Sequence, residues 1–544
     1  MAHLVLGPLL RYVAETEATV WVETDSACEV DVLGHRARTF LVAGHHYAIV
    51  SVGGLAAGAT QPYQVVLDGE RRWPEAGFPP SEIRTLQRGQ ELSLAFGSCR
   101  VSAPDRPPHS PSLDEDERQL GVDALDALGL RMRAGPRAPR PDLLLLLGDQ
   151  VYADELSPGV ARFIRERRDV QQPPGEEVAD FEEYTQLYRE AWSNQPLRWL
   201  LSTLSTAMIF DDHDLHDDWN TSETWVNQMR AKGWWQERIV GAFMSYWIYQ
   251  HLGNLSPRQL AEDPLFRQVT HSEDGGPALR AFALRASHET GGSRWSYSRT
   301  IGTSRLVVID SRAGRVVKGG RRSMLDEREW EWLERQVTGN VDHLLLASSV
   351  PLLLAPGLHH LEAWNEAVCA GAWGGKAAKL AEDLRQRLDL EHWAAFQESF
   401  IRLARMIRAV ASGERGTAPA SIVVLSGDVH HAYLAEAWFR HHAGVKSQVY
   451  QAVCSPFRNQ LAAREQRAVR TAISKPATVA ARGLALAAGV RQSEIRWRLV
   501  QEPSFENQIA TITIRGREAQ LTIEKTRSDR LDPALDVVLQ RRLA

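Results

Sequence analysis

A chain of 544 residues, 44% hydrophobic and 24% charged, has an ordinary globular composition with room for a large core and more than one domain, which excludes a disordered chain. The formal charge of −5 and a pI near 6.4 argue against a general nucleic-acid binder, which carries a broad basic surface. No window reaches the ~18 consecutive apolar residues of a membrane span, and Cys28, Cys99, Cys369 and Cys454 are too scattered for a disulfide framework or a CxxC site.

The first residues, "MAHLVLGPLLRYVAETEATVWVET", have no basic leader, twin arginine or cleavage site and are expected to form a first strand, so the default location is the cytoplasm. Up to about Leu67 short alternating runs, "ATVWVET", "CEVDVLG", "HHYAIVSVGG" and "PYQVVLDGE", are separated by Gly, Asp and Ser turns and predict a small all-β sandwich. The connector "RRWPEAGFPP" closes it, giving a fibronectin-III-like domain over residues 1–88.

From residue 89 to 544 apolar runs alternate with helical stretches, the rhythm of a layered α/β domain. The runs are "LSLAFGS", "DLLLLLGD", "STAMIF", "RLVVIDS", "HLLLASSVPLL" and "SIVVLSGD". A Trp-rich helical insertion is expected at about 156–290, its aromatics serving as helix core. After "SGDVHH" come a strand near "SQVYQAVCS", a basic helical stretch from Asn459 to Arg498, and a β-hairpin, "NQIATITIRGREAQLTIEK", turning at Arg515 and Gly516. The basic stretch reads as a solvated helical face packed on the sandwich, with contact to anionic lipid as the alternative.

Polar clusters follow five of these runs, at the strand ends where α/β folds gather their sites. They are Cys99 in "FGSCR", Asp149 and Tyr152 in "GDQVYAD", the acidic cluster "FDDHDLHDDWN" over 210–220, Asp310 and Arg312 in "DSR", and Asp428, His430 and His431 in "GDVHH". Several carboxylates brought together repel one another unless multivalent cations hold them, so these residue types point to a metal site. A Ser-His-Asp site would need one acid only, and neither a GxSxG elbow nor a P-loop is present in the sequence.

In this order the motifs "FGSC", "GDQVY", "DDHD" with "DDW", "DSR" and "SGDVHHA" resemble the alkaline phosphatase D group of the calcineurin-like metallophosphoesterases, and "GPLLRYVAETEATVWVET" and "AGATQPYQVVLDG" are similar to the small β domain that precedes the catalytic domain there. The resemblance runs from about residue 4 to residue 525. It implies a metallophosphoesterase-type α/β sandwich behind the β domain, and a phosphoric ester hydrolase acting on a small phosphate ester.

Carried onto this chain, the resemblance implies that Asp149 bridges two metal ions. Cys99, Tyr152 and His430 would complete a buried Fe(III) site, and Asp212 and Asp428 with water a second site for Ca(II) or another divalent ion. His213 would stand over the leaving group, Asp214 would orient it, and Arg312 would clamp the phosphoryl group. His216, His359, His360 and His431 are expected outside the ligand set, and Cys454 in the core.

The chain departs from the family pattern at Asp217 and Asp218, where two asparagines are frequent, and at Ser348 and Ser349, where many metallophosphoesterases carry a further histidine ligand. Relatives are often exported. A phospholipid-cleaving phosphodiesterase or a nuclease would use the same site, with the difference in the groove around Trp219, Trp225 and the "PGLHHLEAW" loop. Nucleic acid is otherwise not expected as a partner, a non-catalytic binding protein ranks last, and the oligomeric state is left open.

Overall fold

The computed structural model describes residues 1–103, 120–135, 140–289, 291–440, 444–527 and 534–544. The N-terminal region is all β. One four-stranded sheet runs in the order Leu4–Val13, Ala18–Thr24, His45–Val52, Phe40–Val42, and a second in the order His35–Arg38, Glu29–Val32, Val65–Leu67, Glu70–Trp73; Thr60–Tyr63 pairs with Ser81–Arg84. Alternation along a strand decides what each face meets. Val20, Val22 and Val50 point between the two sheets with Val30, Val65 and Trp73, whereas Trp21, Tyr47 and Ile49 point out of the sandwich into the core of the following α/β region.

That region has two sheets. Leu92–Gly97, Leu143–Leu147 and Ser205–Ile209 are parallel, and the antiparallel strands Gln508–Arg515, Glu518–Thr526 and Leu535–Arg542 extend their sheet. The second sheet is built on four parallel strands, Ser304–Ile309, His343–Ser348, Ser421–Ser426 and Gln448–Val453. Leu94, Phe96 and Leu145 from the first sheet share one core with Leu306, Leu345 and Val423 from the second, so the sheets lie face to face. The alternate residues Val307, Leu344 and Ile422 pack instead against helices Glu327–Gln336 and Gln397–Ala411. All six expected runs are strands, and the hairpin turns at Gly516 and Arg517.

Of the helical elements from Pro158 to His288, Gln195–Thr203, Tyr246–His251 and Leu252–Asn254 pack on Ser205–Ile209, and the tryptophans Trp192, Trp199, Trp225, Trp235 and Trp247 are core residues. Two expectations need correction. The "PGLHHLEAW" stretch is no loop, because it opens helix Pro356–Cys369 with its proline in the first turn. The basic stretch forms helices Ala463–Ile473 and Lys475–Ala487, which pack on Pro356–Cys369 rather than on the sandwich.

Candidate metal centre

The parallel strands end on one side of the molecule. Cys99, Asp149, Asp428 and His430 all take left-handed backbone, with φ of 57°, 50°, 68° and 50°. Such a conformation costs a non-glycine residue roughly 1–3 kcal/mol and persists where surrounding structure enforces it. Here the reversal turns each side chain back over the strand ends. The glycines of "LGD" and "SGD" have a steric cause: a Cβ at Gly148 would overlap Asp211, and one at Gly427 would overlap Ser98.

Donor atoms of Cys99, Asp149 and His430 lie within 4.8 Å of one another, and so do those of Asp149, Asp211 and Asp212 and those of Asp212, Glu391 and Asp428. Asp149 therefore belongs to two adjoining groups. Its Oδ2 is 3.2 Å from Cys99 Sγ, whereas its buried Oδ1 has no hydrogen-bond partner. The Tyr152 ring lies 4.7 Å from the His213 ring, and its hydroxyl accepts a hydrogen bond from Asn459 Nδ2 at 3.0 Å.

The electrostatics of these groups agree. Burial, then the charges of Asp212, Asp214 and Asp428 against an opposing His213, hold the Asp149 carboxyl well above the ordinary range. Burial followed by Asp149 and Asp428 pushes the Cys99 thiol up, and burial followed by Asp149 and Cys99 pushes the Tyr152 phenol up. Burial, then His213, brings His430 down to about 4. The anionic forms are disfavoured without a cation, whereas a bound ion deprotonates its ligands. With the unpartnered Asp149 oxygen and the mixed thiol, phenol, carboxylate and imidazole donors, the residues fit a metal ion.

His213 lies beside this cluster with Nδ1 3.0 Å from Asp154 Oδ1. Burial opposes its charged form, but the Asp154 hydrogen bond and the charges of Asp212, Asp154 and Asp149 outweigh burial and raise its pKa well above the usual value. Asp154, against its own burial, is held down to about 2 by His213. The expected role of Asp214 is thus corrected. Its Oδ1 accepts from the backbone N–H groups of Gln150 at 3.1 Å and Val151 at 3.3 Å and from Gln250 Nε2 at 3.2 Å, and its Oδ2 accepts from the N–H of Asp211 at 2.9 Å. It ties the loop after Leu143–Leu147 to the loop after Ser205–Ile209.

Arg312 is also corrected. Its guanidinium is fully buried: Nε donates to Asp211, Nη2 lies 3.2 Å from both Asp212 Oδ1 and Asp428 Oδ1, and Nη1 lies 2.5 Å from Glu391 Oε2. Four carboxylates surround one cation, so this arginine neutralises the acidic half of the site and does not stand free as a phosphoryl clamp. Asp428 is fixed from its other oxygen by His392 Nε2 at 2.8 Å, whose Nδ1 is 2.6 Å from Glu362 Oε1.

Ser348 and Ser349, at the strand end where a histidine was a family expectation, bond instead: the Ser348 hydroxyl accepts from Trp393 Nε1 at 3.1 Å, and the Ser349 hydroxyl donates to Asp211 at 2.9 Å. Asp217 and Asp218 flank the cluster, with the Asp218 N–H donating to Asp212 Oδ2 at 3.1 Å. His216 packs between Trp225, Trp234 and Trp235. A cavity of about 320 Å³ is lined by Trp219, Trp225, Arg230, Phe243 and Lys318, among others, and none of the six expected metal donors lines it. Sequence reasoning missed Asp154, Glu391, His392 and Asn459 as neighbours of the site.

Two stacked mixed sheets, each built on parallel strands, with a carboxylate-rich, histidine-bearing cluster at those strands' ends define a metal-dependent phosphoesterase. The family model of PhoD-like phosphatases matches residues 130–482, so the chain belongs to the PhoD-like phosphatase family. A domain of unknown function, DUF7800, matches residues 1–85. No curated protein matches the chain. A solved structure of PhoD shares its fold with a TM-score of 0.60 at 12% identity, covering 100% of this chain and 92% of that one. The purple acid phosphatase PPD1 from yellow lupin (Lupinus luteus) seeds gives a TM-score of 0.49 at 10% identity, covering 98% and 73%.

Proposed function

We propose that this protein hydrolyses phosphoric mono- or diesters by in-line attack of hydroxide on phosphorus. The observation that carries the reading is the unpartnered buried oxygen of Asp149 between two donor groups, with His213, held by Asp154, at their edge. Cys99, Asp149, Tyr152 and His430 would hold one ion, read as Fe(III), and Asp149, Asp212 and Asp428 a second, read as Ca(II) or another divalent ion. When bound, the ions lower the pKa of water and neutralise phosphoryl oxygens.

The chain's own residues supply the rest. His213, held protonated by Asp154, donates a proton to the departing alkoxide. Asp214 and His392 fix the loops and the Asp428 carboxylate, so that donors and proton source keep one geometry. Arg312 offsets the charge of Asp211, Asp212, Glu391 and Asp428, which keeps those acids together beside the second site. Metal analysis of protein purified without chelator, followed by a screen of phosphomonoesters and phosphodiesters on metal-defined protein, tests the reading. Full hydrolytic activity in metal-free protein overturns it.

A further inference from the structure

Helix Lys475–Ala487 turns Ala477, Thr478, Ala481, Arg482 and Ala485 inward and leaves Lys475, Pro476, Val479, Ala480, Gly483, Leu484, Leu486 and Ala487 outward. After Lys475 that outer face carries no charge. Val479 is 72% exposed and Leu486 47%. Beside the helix end lies the turn at residues 370–374, whose Trp373 is 44% exposed and donates from Nε1 to the carbonyl of Ala487 at 3.4 Å. The apolar helix face and the indole thus form one patch on the outside of the chain.

Exposed cations lie on the same helix and on the helices next to it. Lys376 and Lys379 follow Trp373, Lys475 opens the apolar helix, and Arg464 and Arg467 are exposed on the preceding helix Ala463–Ile473. None of these five makes an ion pair with an acid among the described residues. The exposed acids on these helices are Glu465, whose carboxylate accepts from the N–H of Ala462, and Asp383.

We propose that this patch is a docking surface for an anionic membrane, with Trp373, Val479, Leu484 and Leu486 entering the headgroup boundary and the five cations lying over acidic headgroups. Apolar side chains beside an exposed indole and a basic collar are the features by which interfacial helices bind a bilayer in its plane. No helix among the described residues is long and apolar enough to cross it, so the contact is peripheral. A second copy fits the patch less well, because a two-fold contact sets the same collar of lysines and arginines against itself. The proposal does not depend on the hydrolytic reading.

Co-sedimentation of the full-length protein with phosphatidylcholine vesicles, with and without phosphatidylglycerol, tests it. Binding is expected only with the anionic lipid and is expected to fall as salt rises. Each cation near the surface is worth roughly a fivefold factor in affinity, so Arg464→Gln with Arg467→Gln should weaken binding roughly 25-fold. Trp373→Gln and the pair Val479→Gln, Leu486→Gln should each abolish sedimentation while leaving circular dichroism and hydrolysis of a soluble ester unchanged, which separates loss of docking from loss of fold. Absence of binding to anionic vesicles, or equal binding to neutral ones, overturns the proposal. So does a dimer by light scattering that Val479→Gln with Leu486→Gln dissociates, which would make the patch a contact between copies.

Discussion

His213 is bonded through Nδ1 to Asp154, on the loop that begins at Asp149, and not to Asp214, its neighbour in sequence. The bond joins two strand ends and leaves Nε2 as the nitrogen that can face a substrate. His213→Ala should therefore keep the metals and lose turnover, by roughly 10²–10⁴-fold if general-acid help is lost. The loss should be smallest for esters with an acidic leaving group such as nitrophenolate. Equal slowing of good and poor leaving groups, or an emptied metal site, would reassign the residue.

Asp154→Asn tests the same bond through pH. The carboxylate raises the His213 pKa, so the protonated acid survives to higher pH with Asp154 in place. In the variant the alkaline limb of the rate profile should move to lower pH, with metal content unchanged. An unmoved limb would show that another group titrates there.

Asp149→Asn keeps the volume of the side chain and removes its charge. Since Asp149 belongs to both the thiol-bearing and the all-carboxylate group, metal content by elemental analysis and hydrolysis should fall together. Retention of both ions with near-normal turnover would put a different carboxylate at the centre.

Arg312→Leu removes the buried counter-charge shared by Asp211, Asp212, Glu391 and Asp428, leaving only Arg315 on Glu391 and His392 on Asp428. Removing one partner of a buried ion pair costs about 3–5 kcal/mol, and a divalent cation added to the variant should restore part of that loss. Urea unfolding with and without the ion reads both effects, and a variant as stable as the parent would refute the neutralising role.

A further pH dependence lies between the β sandwich and the α/β region. His45 Nδ1 is 3.1 Å from Glu23 Oε1 and its Nε2 is 2.8 Å from Glu182 Oε2, on helix Phe181–Trp192. Burial opposes the charged imidazole, but the two glutamates outweigh burial and raise its pKa. A pKa raised on folding gives stability that is full below the unfolded value of 6.5 and is lost as pH rises through the folded value. Thermal unfolding should show that loss, and His45→Gln should remove it.

The strands and most residues of the candidate site were legible because an apolar run ending in Cys, Asp or His is a one-dimensional signal, and parallel strands carry such ends to one crevice. Partners around the site were not. Asp212 to His216 form a tight turn, with the N–H groups of Leu215 and His216 on the carbonyl of Asp212, so neighbours there point apart and adjacency misled the pairing of His213 with Asp214. Arg312 follows a strand as a substrate clamp would, and the tertiary packing of Asp211, Asp212, Glu391 and Asp428 around it is what buries it. His392 and Asn459 come from irregular segments with no periodic pattern. Asp154 was the nearest to discovery, lying within "GDQVYAD" itself.

Arg11, on the first strand, donates to the carbonyls of Tyr249 and Gln250 at 2.9 and 2.7 Å, and the Gln250 side chain donates in turn to Asp214. Those carbonyls belong to the π-helical turn Tyr246–His251, separated from Arg11 by 238 and 239 positions in the chain. The sandwich leaves the ribosome before the helices it packs on, and its buried arginine meets its acceptors only after more than two hundred further residues have been made. At roughly 5–20 residues per second that is an interval of some tens of seconds. During it the guanidinium and the outward-facing Trp21 and Tyr47 are uncovered, which makes the nascent β sandwich, and not the finished chain, the stage at which a chaperone would be needed.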